Sequence, residues 1–202
     1  MNILMESKNN DKPILIDLGC GNKKYQSTVY NVIGIDLSDD SDADLHISAF
    51  DLSLEDESVD YVYSRHFIEH FDIENLEKLF TGIFTVLSQG STFEIIVPHV
   101  SCISAFQDPT HKSYFTRNSF YKLQYLGFKV TETRFHWFKK PYNGRFPILV
   151  KLVDYMLNRF LFLERFSPCI GGIYEIRCLM EKNNSMLDTS FTPGKNLNYK
   201  NA

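Results

Sequence analysis

The chain has 202 residues, 44% of them hydrophobic and 23% charged, with 21 basic against 25 acidic side chains and a formal net charge of −4. That length suits one domain with an elaboration, and the apolar share suits a buried core; a disordered chain, a collagen-like repeat and a disulfide-dense mini-protein are excluded. The acidic balance argues against a nucleic-acid partner, which normally needs a basic face. Cys20, Cys102, Cys169 and Cys178 form no CxxC pair and read as small buried hydrophobes in a reducing compartment. Residues 1–12 lack the order of a signal peptide, and no run of about 18 uncharged apolar residues occurs, so a cytoplasmic location is expected.

Taken in order, short β-branched runs predict strands buried on both faces. Ile14-Leu15-Ile16 leads into Asp17 and a glycine turn, and Val32-Ile33-Gly34-Ile35 leads into Asp36. Val59 to Tyr63 leads into Ser64, and Thr92 to Val97 into Pro98. Between the third and fourth runs, Leu76, Leu79, Phe80, Ile83, Phe84 and Leu87 recur at helical spacing, with Gln89-Gly90 as the stop. Strands alternating with helices predict a parallel, doubly wound sheet. His99 to Thr116 is polar and aromatic and reads as a long loop, a kind of segment that often carries function. A helix is expected from Asn118 to Leu126, a strand from Phe128 to Trp137 and a turn at Pro141 to Gly144. An almost wholly apolar stretch follows from Phe146 to Phe166, then a closing strand from Ile173 to Met180. Residues 183–202 are polar and aperiodic, and a disordered tail is expected there.

The strongest chemical signal is Asp17-Leu18-Gly19-Cys20-Gly21-Asn22, placed after a strand and, by expectation, before a helix. Glycines there let a ligand approach the backbone, with amides and a helix N-terminus facing it. Asp36, closing the next strand, is placed to accept both hydroxyls of a ribose. Lys24 stands where a dinucleotide fingerprint needs its third glycine, so a pyrophosphate ligand is disfavoured. A nucleoside without phosphates fits better, and Asp17 suits a cationic one.

These residues resemble a known family. Asp17 to Asn22 and Val32 to Asp36 are similar to the first two motifs of class I S-adenosylmethionine-dependent methyltransferases, in the subgroup of the ubiquinone and menaquinone enzymes. Phe50-Asp51-Leu52 with Asp56 to Val62 resembles the third motif, Ser64 to His70 the segment leaving the fourth strand, and Leu87 to Phe93 the turn before the fifth. Pro98 to Ser101, Asp108 to Lys112 and Phe115-Thr116 resemble a bacterial subgroup associated with surface-glycan or small-metabolite modification.

The resemblance implies a Rossmann-like α/β sheet of seven mostly parallel strands with the last one antiparallel. It places a cofactor-binding half at 12–98 and an acceptor-side half at 99–182. S-adenosyl-L-methionine is the implied cofactor. Asp17, Gly19 and Gly21 would line its methionine part, Asp36 its ribose, Leu37 and Asp51 its adenine, and Ser64 to His66 would lie beneath the sulfonium. The implied acceptor is a small molecule or glycan intermediate; the aromatic residues Phe106, Tyr114, Phe115, Trp137 and Tyr142 of the loop and lid suggest a partly apolar pocket for it.

If the acceptor is a hydroxyl, a histidine near neutrality suits the proton transfer. His111, with Asp108 three residues before it, is a candidate base or substrate-orienting residue and reads equally as one that fixes its loop; His66 is the other candidate, and for it the structural reading is the stronger. No metal is assigned. His66 to His70 fits HxxEH, two imidazoles one helical turn apart, but the position after a Rossmann-like strand disfavours a metallohydrolase. A cofactor-binding module without catalysis is the other alternative. Residues 146–166 read as a packed helix or lid first, with a homodimer face or a membrane-contacting segment as the rivals.

Overall fold

The computed structural model describes residues 12–52 and 54–187. Six strands form one sheet: β1 Ile14–Leu18, β2 Asn31–Ile35, β3 Val59–Arg65, β4 Leu87–Pro98, β5 Leu126–His136 and β6 Glu175–Leu187. Their order is β2-β1-β3-β4-β6-β5. The first four are parallel, and β6 runs antiparallel between β4 and β5. The inserted antiparallel closing strand is as expected, and it runs on through residues 183–187, which were expected to begin the tail. Residues 188–202 lie outside the described residues.

The expected seventh strand is not among the described residues. Residues 36–58 are rich in Asp and Ser, and they meet the sheet edge at an isolated bridge from Ile35 to Leu45 and at Asp44, whose carboxylate accepts the Gly34 amide. The helix expected after the glycine turn is also missing. Only twelve residues separate Leu18 from Asn31, enough for a connection but not for two turns and a helix. Tyr25 and Tyr30 of that connection instead lay their rings on Tyr63 and Tyr61 of β3, with centroids 4.7 and 5.4 Å apart. They cover with aromatic surface a part of the sheet that a helix would otherwise shield.

Helix α1, Ile73–Val86, forms where the apolar spacing predicts it. Asp72 caps it by accepting a hydrogen bond from the Asn75 amide. Leu76, Leu79, Phe80, Ile83 and Val86 face the sheet, with Phe80 set edge-on against Phe93 and Phe128. Burying each such phenyl ring contributes about 1.5–3 kcal/mol. The helix ends at Val86, and Gly90, at φ +76°, sits where the pairing of β3 with β4 shifts register. Short helices α2, Ser104–Gln107, and α3, Arg117–Lys122, follow β4.

Helix α4, Pro147–Arg159, and a 3-10 segment, Leu161–Ile170, occupy the apolar stretch. Asn158 of α4 bonds Phe135 of β5 at the sheet edge opposite β2. Val150 and Leu157 are buried, while Ile148, Leu152, Tyr155, Phe162 and Phe166 are exposed. Residues 146–170 line neither of the cavities described below, so the segment packs on β5 and is no lid over them. No helix among the described residues is long and apolar enough to cross a membrane.

Candidate active site

Ligands of open parallel sheets bind beyond the carboxyl ends of strands where the order reverses, here at β1 and its neighbours β2 and β3. There a cavity of about 420 Å³ is lined by Asp17, Gly19, Cys20, Lys23, Tyr25, Tyr63, Arg65, His66 and Lys139. Beside it, a smaller apolar recess of about 100 Å³ lies among Asp36, Leu37, Ile47, Ala49, Phe67 and Phe71.

Asp17 is only 3% exposed, and it accepts the Tyr25 amide hydrogen bond at 2.7 Å on one oxygen. Burial pushes its carboxyl up to about 6, against the Tyr25 amide and the Lys24 charge, which pull it down. Asp36 ties the two loops together, accepting from the Gly21 amide at 2.9 Å and the Ser38 amide at 2.9 Å. A carboxylate offers about four acceptor positions, so two remain for a ligand. Gly19, at φ +67°, admits no side chain, because an added Cβ would lie 2.2 Å from the Phe67 ring. Gly21, at φ +51°, has open space where a Cβ would stand.

His66 ends β3 in the left-handed region, at φ +52°, which is costly for a residue other than glycine. Its amide donates to the Ile96 carbonyl at 2.8 Å, fixing the turn that swings the imidazole between two cavities. Nδ1 lies 3.4 Å from Glu69 and Nε2 lies 3.5 Å from Glu175. Burial alone would pull the imidazolium down, but the carboxylates of Glu175 and Glu69 overcome it and hold His66 up at about 9. Glu175 is pushed up by burial and pulled down further by His136, His66 and Arg65, to about 2. His66 is therefore a cation at neutral pH, a donor of hydrogen bonds and not the base expected of it.

Beyond His66 opens the second cavity, about 550 Å³, lined by His66, Glu69, His70, Ser104, Gln107, His111 and Tyr174 among others. Its floor is joined to the 108–116 loop, since the Lys112 and Ser113 amides both donate to the Glu69 carbonyl. Most of its lining residues carry polar side chains, and none of the five aromatic residues expected to wall a partly apolar pocket lines it. Phe106 and Tyr114 stack on each other at the surface, Phe115 is buried against Phe120, and Trp137 and Tyr142 pack around Phe138.

Three further expectations are corrected. Ser64 is fully buried, because it alternates with Tyr63 and Arg65 and so faces the α1 side of the sheet, away from the donor cavity. Asp51 is exposed and lies outside the apolar recess, whose floor is instead Phe67 and Phe71. Asp108, the catalytic candidate placed beside His111, turns its carboxylate to the Thr110 amide and hydroxyl instead, while His111 Nδ1 donates to the Ala105 carbonyl at 2.8 Å. The HxxEH spacing makes no zinc helix, since His66 is left-handed and Ile68–His70 is a single 3-10 turn. Glu175, Tyr174, Phe67 and Phe71 were missed. Glu175, a charge within an apolar closing strand, was the one visible signal.

Residues 16–95 match the sequence model of a family described as "Methyltransferase domain". Residues 16–95 thus carry a methyltransferase domain, for which S-adenosylmethionine is the implied donor. Among solved structures it is similar to an S-adenosylmethionine-dependent methyltransferase from Archaeoglobus fulgidus, at 22% identity over 89% of this chain and 91% of that one, with a TM-score of 0.62. It is also similar to one from Methanosarcina mazei, at 14% identity over 91% and 98% of the two chains, with a TM-score of 0.56. A third, from Mesorhizobium loti, has 15% identity over 85% and 91%, with a TM-score of 0.53. These likenesses concern the fold. No curated protein sequence matches the chain.

The methyltransferase's first cavity fits its donor on three observations. A buried carboxylate with acceptor capacity left over, Asp17, suits a cation. The open space at Gly21 beside Asp36 suits a sugar edge, and the recess between Leu37 and Phe67 suits a flat apolar ring.

Proposed function

We propose that this methyltransferase acts on a polar, hydroxyl-bearing small molecule or glycan intermediate, methylating it on oxygen. The observation that supports this reading is the position of His66, which lines both the donor cavity and the polar cavity beyond it. S-adenosylmethionine, when bound, supplies an electrophilic methyl group on a positively charged sulfur. Asp17, Gly21, Asp36, Leu37 and Phe67 would hold it by charge, sugar hydrogen bonds and apolar contact. Little covalent help is needed, so the protein's task is to orient the acceptor and exclude water. The His66 imidazolium donates to a neighbouring acceptor oxygen, Gln107 and Tyr174 provide further hydrogen-bonding groups, and the proton of the hydroxyl being methylated passes to a Glu69 carboxylate oxygen that has no hydrogen-bond partner. An apolar acceptor would leave these groups desolvated and unpaired, which costs about 1–3 kcal/mol for each.

The test is S-adenosylhomocysteine release across a panel of sugars, sugar nucleotides and hydroxy acids, with apolar phenols and quinones as the contrast. Gln107→Ala and Tyr174→Phe should raise the acceptor KM severalfold and leave the donor Kd unchanged. Turnover confined to apolar acceptors, or an unaltered KM in both variants, would overturn the assignment.

A further inference from the structure

We propose that Glu69, His70 and His111 form a binding site for a divalent transition-metal ion on the floor of the acceptor cavity. Their donor atoms all lie within 4.8 Å of one another, although they come from two separate segments. Bond lengths of about 2.0–2.2 Å to zinc-like ions place ligands about 3.3–4.4 Å apart, so a small contraction closes the site.

The hydrogen bonds behind the imidazoles decide which nitrogen is free. Thr110 Oγ1 gives its proton to Asp108, 2.6 Å away, and a carboxylate cannot return one. Towards His70 Nδ1, at 2.9 Å, that hydroxyl can only accept, so Nδ1 carries the hydrogen and Nε2 keeps its lone pair. His111 Nδ1 faces the Ala105 carbonyl at 2.8 Å, an acceptor only, and its Nε2 lone pair points towards Glu69 Oε1 at 3.9 Å. Metal-binding histidines are oriented by this kind of outer partner, a carbonyl in one case and a hydroxyl backed by a carboxylate in the other. The run Asp108-Pro109-Thr110-His111 thereby acquires one purpose: two residues fix His70 and one is a ligand.

Glu69 provides the independent observation. It is 1% exposed, and neither carboxylate oxygen has a hydrogen-bond partner. The His66 imidazolium, 3.4 Å from Oε1, balances part of its charge, yet no donor meets hydrogen-bond geometry at either oxygen. A buried carboxylate without donors, facing the lone pair of an imidazole, is an arrangement that a cation relieves and water-excluding packing does not. Two imidazoles with one carboxylate are a donor set for zinc, cobalt, iron or manganese, whereas calcium and magnesium take oxygen ligands. Three protein ligands leave a coordination position open, as catalytic sites do and structural ones do not. All three ligand residues line the acceptor cavity, so the ion would hold an acceptor oxygen there. This last step rests on the acceptor reading above; the metal site itself does not.

The test uses the full chain, freed of any affinity tag and dialysed against chelator, titrated with Co²⁺ while the visible absorption is recorded. One ion per chain with a protein-dependent spectrum is expected. Glu69→Gln and His111→Ala should weaken binding at least 100-fold, and Asp108→Ala, altering only an exposed outer partner, about 10-fold. His46→Ala, a surface histidine elsewhere, should leave the titration unchanged. Circular dichroism establishes that each variant is folded. Absence of saturable binding to the wild-type chain, or wild-type affinity in folded Glu69→Gln and His111→Ala, would overturn the proposal. Calorimetry with S-adenosylmethionine on the metal-free chain reads the donor cavity separately. Donor binding without Co²⁺ binding defeats the metal site alone, and Co²⁺ binding without donor binding defeats the functional reading alone.

Discussion

Asp17→Asn should make the ligand-free protein more stable and its donor binding worse. Burial raises the carboxyl from 3.8 to about 6, so at neutral pH the ionised side chain destabilises the fold by about 3 kcal/mol at most. Asparagine keeps an oxygen for the Tyr25 amide and loses only the charge. The folded state holds the Asp17 proton more tightly than the unfolded chain. Stability therefore falls as pH rises through the window from 3.8 to about 6, and the full penalty is present above it. The variant should match wild type below pH 4 and exceed it by roughly 1–3 kcal/mol above pH 6, which is about 2–4 °C in Tm per kcal/mol for a domain of this size. Losing a charge-assisted contact of about 1.5–3 kcal/mol should weaken S-adenosylmethionine binding about 10- to 150-fold. Thermal melts from pH 4 to 8, with and without donor, measure both effects. A variant less stable at pH 7 with an unchanged Kd would refute the assignment of Asp17 as the cation's partner.

The two glycines of the turn should separate in the same assays. Gly19→Ala, strained and driven into the Phe67 ring, should lose about 2 kcal/mol or more, whereas Gly21→Ala, with open space, should lose about 1 kcal/mol and fail chiefly in donor binding by calorimetry. Asp36→Ala frees the Gly21 and Ser38 amides and should weaken donor binding at least tenfold, while Asp51→Ala should leave the calorimetric Kd unaltered. Ser64→Ala removes a buried hydroxyl that has no partner and should raise stability by about 1 kcal/mol in urea unfolding, with donor binding intact.

Much of this protein could be read along the chain. Ile14–Leu18 and Asn31–Ile35 are strands because β-branched runs of that length, punctuated by Asp and Gly, suit a sheet interior. Helix α1 follows from the spacing of Leu76, Leu79, Phe80 and Ile83, since a 3.6-residue period lays them on one face. Asp17, Gly21 and Asp36 were legible because adjacent parallel strands bring their carboxyl ends together, so sequence position alone fixes their neighbourhood. The supposed helix after Gly21 was not legible as absent, because a twelve-residue connection is polar whether or not it coils.

The acceptor side was decided in three dimensions. His66 becomes a cation only because Glu175 arrives on a strand 109 positions later and Glu69 lies across a single 3-10 turn. His70 and His111 share a wall only because the Lys112 and Ser113 amides close the loop on Glu69. Local periodicity carries information about neighbours three or four residues away. The protonation of an imidazole, or the free lone pair of another, depends on charges that the chain brings together only by folding.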